Sequence, residues 1–192
     1  MKAALVVVLF AAFSSAQTTP PRTPSPLAPA EAACGPMDIQ FDAHPAESQP
    51  LPQPDPGKSL VYVIEVFDRA PNQYGRPTLR IGLDGKWAGA VKGDSYLAFS
   101  VDPGEHHLCT SWQSRLKQLS TKIAFTGLNA ESGKVYYLRA RIIEGGQNFA
   151  LDFAAVDADE GQYLIAKAAP SNSHTKTDRR KSPQDQSPVK GD

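Results

Sequence analysis

From Leu60 to Ala155 the apolar side chains fall on alternate positions, and turn residues interrupt them at short intervals. A period of two belongs to strands, whose successive side chains point to opposite faces. Leu79, Ile81 and Leu83 alternate with Arg80 and Gly82, and Leu97, Phe99 and Val101 alternate with Ala98 and Ser100. Tyr136, Leu138, Ala140 and Ile142 share one face, as do Phe149, Leu151, Phe153 and Ala155. Residues 60–67 read as apolar and β-branched on both faces, the composition of a central strand. Residues 87–91, 106–112 and 123–126 supply three more strands. Asp84-Gly85, Lys92-Gly93-Asp94, Asp102-Pro103-Gly104-Glu105 and Gly145-Gly146 have the chemistry of tight turns. The spacing predicts an all-β fold, an antiparallel β-sandwich of roughly seven to eight strands. One short C-terminal helix is predicted over residues 157–167, with Asp157 or Asp159 as N-cap and Tyr163, Leu164 and Lys167 at helical spacing. Gly161 weighs against that helix.

The flanks have other compositions. Residues 1–16 carry Lys2, an apolar run over 3–13 and small residues at 14–16, the pattern of an export signal. Residues 17–58 hold eleven of the 17 prolines and read as an extended arm. Within that arm Met37, Ile39 and Phe41 alternate with polar residues, which predicts a docked edge strand over 36–42. The β-domain is bounded at 59–168. Residues 169–192, rich in Ser, Asp, Lys and Pro, read as a disordered polar tail in which Arg179-Arg180-Lys181 is solvated charge.

Cys34 and Cys109 are the only cysteines. An even count in an exported chain favours a disulfide between them; free thiols and a lipid-modified Cys34 are the alternatives. The bond would close a loop of 75 residues (109 minus 34) and restrict the unfolded chain by about 4 kcal/mol. Lys plus Arg equals Asp plus Glu, 20 each, which argues against nucleic acid as a partner. No stretch after the signal is long and apolar enough for a transmembrane helix in the mature chain. The expected location is extracytoplasmic, either periplasmic or secreted.

Little in the chain has the spacing of catalytic machinery. Glu105, His106 and His107 are neighbours, but adjacent side chains on a strand diverge, so no metal site is expected. His44 stands alone in the arm. Asp157-Ala158-Asp159-Glu160-Gly161 lacks the ligand spacing of a calcium loop and suits helix capping better. Cys109 beside His107 is a poor nucleophile once oxidised, and no serine elbow or phosphate-cradling glycine loop occurs. No cofactor is expected. Arg139 and Arg141, with Tyr137 on their side, form the one face suited to an anionic or sugar ligand. Trp87 and Trp112 are expected in the core.

Five stretches, taken in order, resemble the DUF2846 family of exported bacterial proteins over roughly residues 56–168. They are Pro56-Gly57-Lys58-Ser59-Leu60-Val61-Tyr62-Val63, Ile81-Gly82-Leu83-Asp84-Gly85-Lys86-Trp87-Ala88-Gly89, Gly93-Asp94-Ser95-Tyr96-Leu97-Ala98-Phe99, Val101-Asp102-Pro103-Gly104-Glu105-His106-His107 and Glu131-Ser132-Gly133-Lys134-Val135-Tyr136-Tyr137-Leu138-Arg139. The hairpin and the Pro-Gly-Glu-His turn are similar, more distantly, to the PEGA type of bacterial surface β-module. The resemblance implies an extracytoplasmic β-sandwich without an assigned role, and it brings no catalytic motif. Family members with a cysteine directly after the signal look like lipoproteins; Cys34 lies too far downstream for that pattern. The expected function is a non-catalytic, envelope-associated interaction module whose partner is a protein or envelope component. A small-ligand or carbohydrate-binding module is the alternative, with a hydrolase behind it.

Overall fold

A computed structural model describes residues 28–47, 49–66, 76–145 and 148–176; the expected signal, the arm before residue 28 and the basic triplet 179–181 lie outside them. Eight strands fall where alternation places them: β2 (Ser59–Glu65), β3 (Thr78–Leu83), β4 (Lys86–Lys92), β5 (Ser95–Val101), β6 (Gly104–Gln113), β7 (Ile123–Ala130), β8 (Val135–Gly145) and β9 (Asn148–Val156). Two more come from the flanks, β1 (Phe41–Pro45) and β10 (Ala169–Thr175). They form two sheets, ordered β1-β10-β5-β2-β8-β9 and β4-β3-β6-β7. The all-β, sandwich-like architecture is as expected.

The inner faces meet in one core. Val61 and Val63 of β2, Leu79 and Ile81 of β3, and Leu108 and Trp112 of β6 pack there with Leu138 and Phe153. Each such aliphatic side chain contributes about 1.5–3 kcal/mol. The other face of β2 is buried too, so the whole strand is inaccessible. Of the helices α1 (Ala28–Cys34), α2 (Lys117–Ser120) and α3 (Ala158–Lys167), the last covers that outer face, setting Leu164 and Ile165 against Leu60, Tyr62, Ile64 and Tyr96. A strand apolar on both faces does not fix its own register through alternation. Its polar ends do so here. Ser59 Oγ donates to the Glu131 carbonyl at 2.6 Å, and Glu65 Oε2 accepts from the Gly93 N–H at 3.1 Å.

Four expectations need correction. Not every pairing is antiparallel, since β2 runs parallel to β8 and β10 to β5. From β5 the chain crosses to the other sheet for β6 and β7 and re-enters beside β2 at the end where that strand starts, with Gly133 N–H bonded to the Lys58 carbonyl at 2.9 Å. The arm is not extended throughout, because α1 (Ala28–Cys34) is a helix. Alanines favour it, Pro29 sits in its first turn where a missing N–H costs nothing, and Gly35 at φ 116° ends it. The edge strand is 41–45 rather than 36–42, for its partner β10 begins to pair only at Phe41. Finally, the tail starts as a strand. Ser171 and Ser173 turn inward to bond β4, so β10 has no apolar period to detect.

Candidate functional site

The outer face of the small sheet holds the arm. On β3, Leu79 and Ile81 point into the core, so Arg80 and Gly82 point away from it. Gly82 leaves room for α1: a Cβ there would lie 2.6 Å from Cys34 Cα and 2.8 Å from Cys109 Sγ. Cys34 and Cys109 are joined, as expected, and both are fully buried. Arg80 is 4% exposed. Its Nη1 donates to the carbonyls of Met37 at 2.9 Å and Ile39 at 2.8 Å, and its Nη2 donates to Ser111 Oγ at 2.8 Å. The guanidinium also lies 4.6 Å from the centre of the Trp87 ring. All these partners are neutral. Burial therefore lowers the Arg80 pKa, and the charge is held by dipoles alone.

Two further side chains read the backbone of the arm. Trp87 Nε1 donates to the Pro36 carbonyl at 2.7 Å. The Gln113 amide brackets Phe41, accepting from its N–H at 2.7 Å and donating to its carbonyl at 2.8 Å. Side chains thus serve the carbonyls of Pro36, Met37 and Ile39 and both main-chain groups of Phe41, while the Gln40 carbonyl accepts from the Lys176 N–H at 2.8 Å just past β10. Trp87 is consequently half-buried beneath the arm and not in the core, whereas Trp112 is 4% exposed and packs edge-on against Phe149 as a core residue.

At one end of the sandwich the Asp84-Gly85 turn faces the loop between β5 and β6. Both turn residues have positive φ, 48° and 78°, as a two-residue hairpin of this hand requires. Asp84 Oδ2 lies 2.7 Å from His106 Nδ1, and Asp84 Oδ1 accepts from the His107 N–H at 2.8 Å. His106 Nε2 lies 2.7 Å from the Asp102 carbonyl. Burial alone would lower the His106 pKa, but the bonds to Asp84 and Asp102 outweigh it and the net shift is upward. Burial would likewise raise Asp84; the hydrogen bonds from His106 and His107 outweigh it and hold the carboxyl low. With both nitrogens facing acceptors the imidazolium is the form the site favours. Neither nitrogen is left to take a proton from a substrate. His107 and Glu105 are exposed on the opposite face, and His44 is exposed on β1.

At the other end lies Glu65, 2% exposed, beneath the turn between β4 and β5. Oε2 has the Gly93 N–H, while Oε1 is buried without a partner among the described residues. Desolvation is the main cause that pushes its pKa up to about 8; the Gly93 bond opposes that shift and the Asp94 charge adds to it. The carboxyl is accordingly neutral at pH 7.

The face expected to take a ligand is engaged within the chain. Tyr137 stacks on Tyr62 at 5.5 Å between ring centres and lies under α3, where a Cβ on Gly161 would come within 2.2 Å of Tyr137 Cγ. That close approach is the reason for a glycine inside the helix. Arg139 Nη1 donates to Glu160 Oε1 at 3.1 Å, and Arg141 Nε donates to Asp152 Oδ2 at 2.9 Å. The three side chains share a strand face, of which Tyr137 and Arg139 are partly covered and Arg141 is exposed. Asp157 caps α3 by accepting from the Glu160 N–H at 2.8 Å, and Tyr163 points outward under the Lys167 ammonium. Among the described residues no three His, Cys, Asp or Glu side chains gather as metal ligands, and no helix is long and apolar enough to cross a membrane.

Sequence reasoning missed Arg80, Gln113, Glu65 and Asp84. One signal was present: a glutamate inside a run buried on both faces. Arg80 gave none, because an arginine alternating with leucines looks the same on a wet face as on a covered one. No family model, curated protein or solved structure matches this chain, so the resemblance to exported bacterial β-modules stands on the quoted motifs alone.

Proposed function

We propose that this chain is a non-catalytic, exported β-sandwich, periplasmic or secreted, that works as an envelope-associated interaction module. The observation carrying this reading is that the thiol and the imidazole held within the fold, Cys109 and His106, are both engaged. Cys109 is oxidised and buried, and both nitrogens of His106 face acceptors. The disulfide fits an oxidising, extracytoplasmic compartment. An N-terminal export signal and membership of the DUF2846 family belong to the same proposal.

The test is fractionation of a bacterium expressing the full chain, with thiol labelling of the denatured, unreduced protein and crosslinking in the intact envelope. The expected product lacks residues 1–16, leaves the cytoplasm, contains no labelled cysteine and is captured with an envelope component. An unprocessed cytoplasmic chain with two labelled thiols would refute the reading.

A further inference from the structure

The edges of the two sheets are protected unequally. An exposed strand edge invites pairing, and charges, prolines, bulges or coverage suppress it. β1 is five residues long and carries Asp42 and Pro45. β4 begins and ends with lysine, shifts register against β3 at Ile81/Gly82, and has the N–H and carbonyl of Ala90 bonded to Ser173 and Ser171. β9 carries Asp152, which is bonded to Arg141. β7 has none of these devices over residues 124–128 among the described residues; at its end the Asn129 carbonyl accepts from the Tyr136 hydroxyl at 3.2 Å. Ile123–Ala130 contains no charge and no proline, keeps unbroken register with β6, and ends its sheet with no further strand beside it among the described residues.

We propose that β7 is the contact surface of a two-fold dimer of this chain, formed by antiparallel pairing of residues 124–128 with the same residues of a second copy about Thr126. The choice of a second copy comes from two side-chain positions on the outer face. Phe125 stands 53% exposed near the middle of the strand. Two residues on, and therefore on the same face, Gly127 leaves open space: a Cβ there meets nothing within 4 Å. An axis perpendicular to the sheet keeps outer faces together, so residues opposite one another have numbers of equal parity. With the axis at Thr126, Phe125 of each copy covers Gly127 of the other, and the contact is made twice. A knob and a gap two residues apart on one edge are thus self-complementary, as an isologous interface must be. An aromatic ring over a cross-strand glycine is a favourable pair. An uncharged strand also meets no like-charge repulsion across the axis. On the inner face Ala124 pairs with Leu128, extending the core these residues already touch. The contact does not depend on the envelope reading.

Sedimentation of the oxidised full chain tests it. One strand pair is a small interface, so a dimer with a dissociation constant on the order of 10 μM is expected. Phe125→Ala removes the knob and Gly127→Leu fills the gap. Each is expected to weaken the dimer at least about ten-fold, with thermal unfolding showing that both variants fold. Under mild oxidation Thr126→Cys is expected to crosslink between copies and Ala124→Cys alone is not, because only residue 126 lies opposite itself. A wild-type chain that stays monomeric at about 100 μM overturns the proposal. So does a dimer that neither substitution weakens, or crosslinking that is equal at 124 and 126.

Discussion

Replacing Glu65 with glutamine tests the buried carboxyl directly. In the folded chain the group titrates at about 8, against an ordinary 4.5. Between those values the unfolded chain has released the proton and the folded chain still holds it. Stability is therefore full below about pH 4.5, falls as pH rises, and levels off above about pH 8. The slope from this one group is about 1.4 kcal/mol per pH unit, or about 3 kcal/mol between pH 5 and 7. Glutamine keeps the shape and the acceptor for the Gly93 N–H but cannot ionise. Glu65→Gln is thus expected to equal the wild type near pH 5 and exceed it by about 3 kcal/mol at pH 7. In urea that is a shift in midpoint of about 1–2 M. The assay is urea unfolding followed by tryptophan fluorescence at several pH values between about 5 and 8, with the disulfide intact. Other titrating groups are common to both chains and cancel in the difference. Parallel pH profiles for the two proteins would refute the reasoning, since a carboxyl ionised in the fold gives no difference in slope.

Arg80→Met keeps the apolar stem and removes the donors to Met37 and Ile39; a loss of about 2 kcal/mol is expected, with faster hydrogen exchange over residues 37–41 and red-shifted Trp87 emission. Gly161→Ala should gain about 1 kcal/mol of helix propensity yet lower stability by about 1–3 kcal/mol in thermal unfolding, because the methyl group meets the Tyr137 ring. His106→Asn removes a raised imidazole whose stabilisation is present below its ordinary 6.5 and lost as pH rises through the folded value. The variant is expected to be weaker than wild type by no more than about 1 kcal/mol near pH 5, with the difference vanishing as pH rises through the folded value, read from urea midpoints.

The sheets were legible in the sequence because a half-buried strand writes its burial as alternation. Leu79-Arg80-Ile81-Gly82-Leu83 and Phe149 to Ala155 do so plainly, and Asp84-Gly85 marks the hairpin between β3 and β4. The bond between Cys34 and Cys109 followed from count alone. β10 was hidden because its inward groups are serines that serve β4, and a strand stabilised by hydroxyls has no hydrophobic period. The α1 helix was hidden by the prolines around its alanines. The site residues were harder still. Arg80 gets its role from an arm far earlier in the chain, and Asp84 from a loop that only the fold brings to it. Gly161 reads as a flaw in a helix until Tyr137 is placed beneath it.

The arm depends on two distant parts of the chain, and they emerge from synthesis in a set order. Its covalent partner, Cys109, precedes its strand partner, residues 171–175, by more than half the β-domain. Oxidation can precede the making of β10, which tethers residues 28–34 while β1 waits for its ladder. The two ends then close over each other in the last step of assembly. Damage to the final strand should accordingly leave a chain that is crosslinked but unzipped over residues 41–45.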